Sequence, residues 1–155
     1  MSGLIQIGQL LPDLQVQTGA GQPLALSTLL GSPSTLLNFM HGTWCPECVN
    51  QLRSLQRHER TIAVTGAKVV VIMADVPAHV AAFQLAAQRP LAYTVVADPE
   101  GTTHRQIGAD DDPAMIVVDV QRIVRYFAIW RDHRDHPGYH AVLQTVQDLN
   151  AVNYP

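Results

Sequence analysis

Two short runs, Leu36-Leu37-Asn38-Phe39-Met40 and Val69-Val70-Val71-Ile72-Met73, constrain the fold of this chain more than any other feature. Neither shows the regular apolar–polar alternation of a half-exposed strand, so each reads as a strand buried on both faces. Between them, Cys45 to about Thr61 carries Val49, Leu52 and Leu55 at three-residue spacing among Gln, Arg and His, the pattern of a helix with one apolar face. A strand, a helix and a second buried strand form a crossover unit, which places the two strands parallel.

The remaining segments extend that unit. Pro77 opens a helix to about residue 88 with Val80, Phe83 and Ala87 at helical spacing, stopped before Pro90. Tyr93 to Ala97 reads as a short strand, Asp98-Pro99-Glu100-Gly101 as a turn, and Thr102 to Ile107 as a helical turn closed by Gly108. Met115 to Val120 and Ile123 to Trp130 are separated by Gln121-Arg122, a hairpin spacing that adds antiparallel strands. A last helix is expected from Pro137 to Val152, with Tyr139, Val142, Leu143, Val146 and Leu149 on one stripe. Near the N-terminus a small hairpin surrounds Gly19-Ala20-Gly21, followed by a turn at Ser27 to Leu30. The sum is an α/β fold, a mixed central sheet with helices on both faces. With 155 residues, 47% of them hydrophobic, a single domain over 1–155 is expected.

Charge narrows the possible partners. The net charge is -3, and the ten basic residues are scattered, only one of them a lysine. No basic face for nucleic acid or anionic lipid is expected. The first residues lack the cationic and apolar regions of a secretory leader, and no run of about 18 apolar residues occurs, so a cytoplasmic protein without a membrane span is predicted.

The cysteines of the chain, Cys45 and Cys48, stand at the mouth of the first helix as Trp44-Cys45-Pro46-Glu47-Cys48. A link across so few residues constrains little chain, so chemistry is the better reason for the pair. A thiol at a helix N-terminus meets unsatisfied N–H groups and the positive end of the helix dipole, which stabilise the reactive thiolate. Cys45 is thus the expected attacking thiol, facing outward, and Cys48, nearly one turn further in, the resolving one. Pro46 suits the first helical turn. The Glu47 carboxylate disfavours a second negative charge beside it and so favours a more reducing couple. His41, four residues before Cys45, is either an acid or base for the thiols or a plain loop residue, and Trp44 is expected to shield the disulfide by packing.

These residues resemble the thioredoxin superfamily, in its redoxin branch of peroxiredoxin-like and cytochrome-maturation (TlpA-like) proteins, the AhpC-TSA group. The stretch from Asn38 to Cys48, including Thr43, is similar to that branch's strand and active-site loop, and Gln51-Leu52-Arg53-Ser54-Leu55-Gln56 to the helix that follows. Ile7-Gly8-Gln9-Leu10-Leu11-Pro12-Asp13-Leu14, Ala97-Asp98-Pro99-Glu100-Gly101 with Ile107-Gly108, and Pro113 to Asp119 match its opening, middle and late segments in order. The resemblance implies a thioredoxin-like three-layer fold and a cis Pro113 that, with Asp112, borders the docking site; an ordinary trans turn is the alternative. Asp110 to Asp112 then either select a basic partner or form a solvated turn. The implied partners are a disulfide-containing protein or small thiol, with a thioredoxin- or glutathione-type electron donor and no cofactor.

The chain departs from the peroxidase pattern. Where classical peroxiredoxins carry a proline and a Thr or Ser, seven and three residues before the reactive cysteine, Asn38 and Gly42 stand here, and Asp112-Pro113 replace the late arginine. Peroxide reduction lacks its usual donors, whereas dithiol–disulfide exchange needs neither. Exchange is therefore the expected reaction, with thiol peroxidase as the alternative and a redox-sensing or metal-binding module as a second.

A structural metal site at Cys45 and Cys48 needs two more ligands, from His41, His58, His104 or the tail. The tail gathers His133, His136 and His140, but Pro137 and Gly138 interrupt the spacing that would aim them at one point. No metal is expected.

Overall fold

The computed structural model describes residues 5–31, 33–87, 93–110 and 112–153. Its strands are β1 (Gln15–Gln17), β2 (Pro23–Ala25), β3 (Ser34–Met40), β4 (Lys68–Met73), β5 (Thr94–Ala97), β6 (Ala114–Asp119) and β7 (Val124–Ile129). The helices are α1 (Pro46–Val64), α2 (Pro77–Ala86), α3 (Thr102–Gln106) and α4 (His140–Asn153), with single 3-10 turns at Leu26–Leu29 and His133–Asp135.

Among the described residues the strands form one sheet in the order β2-β1-β5-β4-β3-β6-β7. β3, β4 and β5 are parallel neighbours, while β6 runs antiparallel to β3 and β7 to β6. The expected crossover unit is β3-α1-β4. Every residue of β3 is buried because side chains on both its faces enter a core. Leu36 and Met40 meet Leu52, Leu55 and Ile62 of α1 and Val142 and Val146 of α4, whereas Leu37 and Phe39 meet Leu11, Leu14, Leu26 and Ile107 on the opposite face. Two helical layers on a mixed sheet make this a three-layer α/β fold of thioredoxin type.

Element ends differ from the sequence reading where local chemistry overrides periodicity. α1 starts at Pro46, with Cys45 as its extended N-cap, and continues to Val64 before Gly66, at φ +84, turns the chain. α2 stops at Ala86 because Ala87 is extended, at φ -65 and ψ 131; residue 88 of its expected span, like Asp111, lies outside the described residues. α4 begins at His140 rather than Pro137, since Gly138 adopts φ +74, which a helix does not accommodate. The β6–β7 connection is longer than the expected two residues, and Arg122 turns it at φ +65, with Asp119 Oδ1 accepting from the N–H groups of Gln121 and Ile123.

The C-terminal ends of β3, β4 and β5 share one edge of the sheet. Each is followed by a polar residue: His41 after β3, Asp75 just beyond β4, and Asp98 after β5. No helix among the described residues is long and apolar enough to cross a membrane.

Candidate functional site

Cys45 and Cys48 are both free thiols. The backbone N–H of Cys48 donates to Cys45 Sγ at 3.2 Å, so the first thiol caps the helix that carries the second. The Cys45 Sγ also lies 3.6 Å from Glu47 Oε2, to which the thiol donates, and 3.9 Å from His41 Nδ1. Burial pushes the Cys48 thiol up to about 12, reinforced by the hydrogen bond and charge of Cys45 and opposed by backbone bonds from His41 and Gly42. The two sulfurs thus stand in different surroundings, Cys45 at the helix cap and Cys48 behind it.

Their exposure is not as expected. Cys45 is 3% and Cys48 2% exposed, so neither faces outward. Access runs through a cavity of about 570 Å³ lined by both cysteines, His41, Glu47, Pro113 and Trp130, and by Arg131, Asp132 and Arg134. Pro113 stands against the cysteines from β6's start, its carbonyl accepting the Trp130 N–H at 3.2 Å. Asp112 accepts Arg131 Nε at 3.4 Å, so its charge is paired rather than offered freely. Arg134 binds Asp132 through Nε and Nη2. The segment after β7, which the sequence reads as a mixed-charge loop, reaches the cavity through Arg131, Asp132 and Arg134.

The loop before the cysteines is held by Asp75, which the sequence reading missed. Its Oδ2 accepts the Thr43 N–H at 3.0 Å and the Thr43 hydroxyl at 2.7 Å, while Oδ1 accepts the Val76 N–H and faces His79 Nδ1 at 2.7 Å. Partial burial pushes this carboxyl up, but the bonds from Thr43, His79 and Val76 outweigh it and hold it below the usual carboxylate range. A carboxylate two residues past the apolar run Val69 to Met73 was the available signal. Asp75→Ala is expected to cost about 1–3 kcal/mol by stranding the Thr43 donors. A urea melt measures this, and a loop that depends on Asp75 also predicts faster alkylation of both cysteines in the variant.

Trp44 is 69% exposed and covers neither sulfur; its indole stacks on the His41 ring, centroids 6.1 Å apart and planes within 4°. A Cβ at Gly42 would meet Trp44 Nε1 at 2.5 Å and Asp75 Oδ2 at 3.2 Å, so a Thr or Ser there displaces the indole. Thr43, next in line, has its hydroxyl committed to Asp75.

The other sequence candidates for metal ligands lie elsewhere. Both nitrogens of buried His104 are engaged, Nδ1 with Asp98 Oδ2 at 2.8 Å and Nε2 with the Met40 carbonyl at 2.9 Å. His58 Nδ1 binds the Ser54 carbonyl, and the ring packs on Tyr139. His136 accepts the Gly138 N–H and packs between Trp130 and Tyr139. The His133 side chain lies outside the described residues. Among the described residues, His41, Cys45 and Cys48 do converge, one ligand atom from each lying within 4.8 Å of the others.

The model of the AhpC/TSA family matches residues 7–127. No curated protein matches the chain. Among solved structures, peroxidoxin BcpB from Mycobacterium tuberculosis is similar at 22% identity and TM-score 0.76, covering 93% of this chain and 97% of that one. A thiol peroxidase from Chromobacterium violaceum is similar at 19% identity and TM-score 0.78, with 94% and 88% covered. A structure described as thiol:disulfide interchange protein DsbE, from Chlorobium tepidum, is similar at 24% identity and TM-score 0.70, with 94% and 99% covered. A seven-stranded thioredoxin-type sheet, two thiols at the mouth of its first long helix and a family match over most of the length agree: the chain belongs to the AhpC/TSA family, within the redoxins of the thioredoxin superfamily.

Proposed function

We propose that this protein is a thiol–disulfide oxidoreductase working through the Cys45/Cys48 couple. The observation that carries the reading is the inequality of the sulfurs: Cys45 receives the Cys48 N–H at the helix mouth, and Cys48 is held protonated by burial. Cys45 as thiolate attacks one sulfur of a substrate disulfide, forming a mixed disulfide and releasing the other sulfur as thiolate. Cys48 then gives up its proton and attacks the Cys45 sulfur, closing Cys45–Cys48 and expelling the second substrate thiolate. Two electrons have passed from the dithiol to the substrate.

A protein disulfide or small-molecule disulfide is the substrate class, and a thioredoxin- or glutathione-type thiol returns the electrons. Pro113 on the cavity wall, with Asp112 next to it in the chain, forms the docking edge. Thiol peroxidase is the competing reading, supported by the names of the similar structures. Against it stand the Thr43 hydroxyl, committed to Asp75, and the absence of a Cβ at Gly42. Turnover with a peptide disulfide and with hydrogen peroxide, each fed by the same thiol donor, tests the choice. Disulfide turnover well above peroxide turnover is expected, and saturating peroxidase activity at low peroxide overturns the reading.

Glu47 adjusts the couple. Replacing it by Gln removes a negative charge beside Cys45 Sγ and is expected to speed Cys45 alkylation at neutral pH by about two- to five-fold, the modest effect of one solvent-screened charge. An unchanged or slower rate refutes that role.

A further inference from the structure

We propose that the reduced protein binds one monovalent copper ion through Cys45 Sγ, Cys48 Sγ and the His41 ring. This uses the thiols of the exchange reaction but does not rest on that reading. The three ligand atoms lie within 4.8 Å of one another, and His41 Nδ1 is 3.9 Å from Cys45 Sγ. With metal–sulfur and metal–nitrogen bonds of about 2.3 and 2.0 Å, two ligands of one ion stand about 3.5–4 Å apart. The site therefore needs to contract by less than about 1 Å, a side-chain adjustment on this spacing.

The kind of ion follows from the donor set. Two thiolates and an imidazole are soft ligands, which select monovalent copper, zinc or iron–sulfur clusters over hard cations. Among the described residues the converging group holds three donors, one short of a closed structural zinc tetrahedron. Monovalent copper is satisfied by three. The cysteines are 3% and 2% exposed, and such burial favours a soft ion of low charge. Trp44, stacked in parallel on His41, fixes the plane of the imidazole before any ion arrives. His104 cannot compete as a ligand, since Asp98 and the Met40 carbonyl hold both its nitrogens.

Binding and disulfide formation exclude each other, because the same sulfurs serve both. The ion is therefore expected to slow exchange while bound, and a disulfide substrate, which takes two electrons as Cys45–Cys48 closes and leaves as two thiols, to drive its release. Copper occupancy would then report, and set, the fraction of protein free to react.

The test is an anaerobic titration of reduced, metal-free protein with monovalent copper against a chromogenic copper chelator of known affinity. One equivalent per chain is expected, with X-ray absorption showing two sulfur neighbours and one nitrogen. His41→Ala is expected to weaken affinity at least ten-fold, since even outer partners of metal ligands contribute about 10–100-fold. Circular dichroism and alkylation of both thiols establish that this variant is folded, and the absorption spectrum of the unaltered protein stands independently of it. A sulfur-only shell, an undiminished affinity in folded His41→Ala, equal binding by the disulfide form, or retention of zinc with no uptake of copper each overturns the proposal. Disulfide exchange measured on the same metal-free sample keeps the two readings apart: copper binding without exchange sinks only the proposed function, and exchange without copper binding only this one.

Discussion

Cys45→Ser is expected to abolish disulfide exchange, with turnover falling to background, while Cys48→Ser still completes the first half of the reaction and accumulates a covalent adduct. The difference follows from position. Cys45 Sγ caps α1 and receives the Cys48 N–H, so the sulfur that attacks is the one at the helix mouth. In Cys48→Ser no second thiol is present to expel the substrate, and the mixed disulfide at Cys45 persists. Intact-mass measurement after mixing with a small aromatic disulfide reads one adduct per chain in Cys48→Ser and none in Cys45→Ser. The reverse assignment would give the adduct at Cys48, whose burial and protonation argue against it. Neither substitution changes a large apolar contact, so both variants are expected to fold.

His104→Ala is expected to carry the largest cost in stability, about 2–4 kcal/mol, from the emptied ring volume and the lost hydrogen bond to a buried carboxylate. His104 is 1% exposed and Asp98 2%, and the ring ties Asp98 to the Met40 carbonyl at the end of β3. Asp98 keeps its bonds from Thr103 and from the backbone of residue 104, and the Met40 carbonyl keeps the Ala74 N–H, so what is lost is the link between them, and the thermal midpoint is expected to fall by on the order of 10 °C. Because Met40 leads directly into His41, the cysteine loop should loosen too. A midpoint unchanged within a degree or two would remove the account of this network.

The same carboxylates set the acid limit. Burial pushes Asp98 up, but bonds from His104 and Thr103 outweigh it and hold the carboxyl below its ordinary range; Asp75 and Asp119 are lowered in the same sense, each against its own burial. A carboxyl held lower in the folded than in the unfolded chain contributes stability above its unfolded value, near pH 4, and loses it as the pH falls through the folded value. Denaturant melts are therefore expected to show stability dropping steeply below about pH 4, with a shallower drop in Asp75→Ala, which has one such group fewer.

Much of this was legible in the chain. The runs at 36–40 and 69–73 specify the central parallel strands because burial on both faces forces apolar residues at nearly every position. The place of Cys45 at the mouth of α1 was legible too, since helix-end chemistry is local. What escaped was non-local. The cavity at Cys45 is completed by Trp130, Arg131, Asp132 and Arg134, and no pattern near residue 45 encodes that. Asp75 and Thr43 are 32 positions apart, and His104 and Met40 are 64 apart, so only the parallel register brings each pair together. Trp44 was misplaced for a related reason: absence of a side chain at Gly42 lets the indole reach His41 instead of the sulfurs.

The most direct test of the central claim is a single-turnover competition, in which reduced protein is mixed rapidly with one equivalent each of a peptide disulfide and hydrogen peroxide. Trp130, on the cavity wall beside the cysteines, supplies a fluorescence signal for closure of the disulfide. The account predicts that the peptide disulfide is consumed first, two electrons per chain, and that mass mapping finds Cys45 joined to Cys48 with no oxygen added at either sulfur. Preferential consumption of peroxide, with sulfenic acid trapped at Cys45, would contradict it.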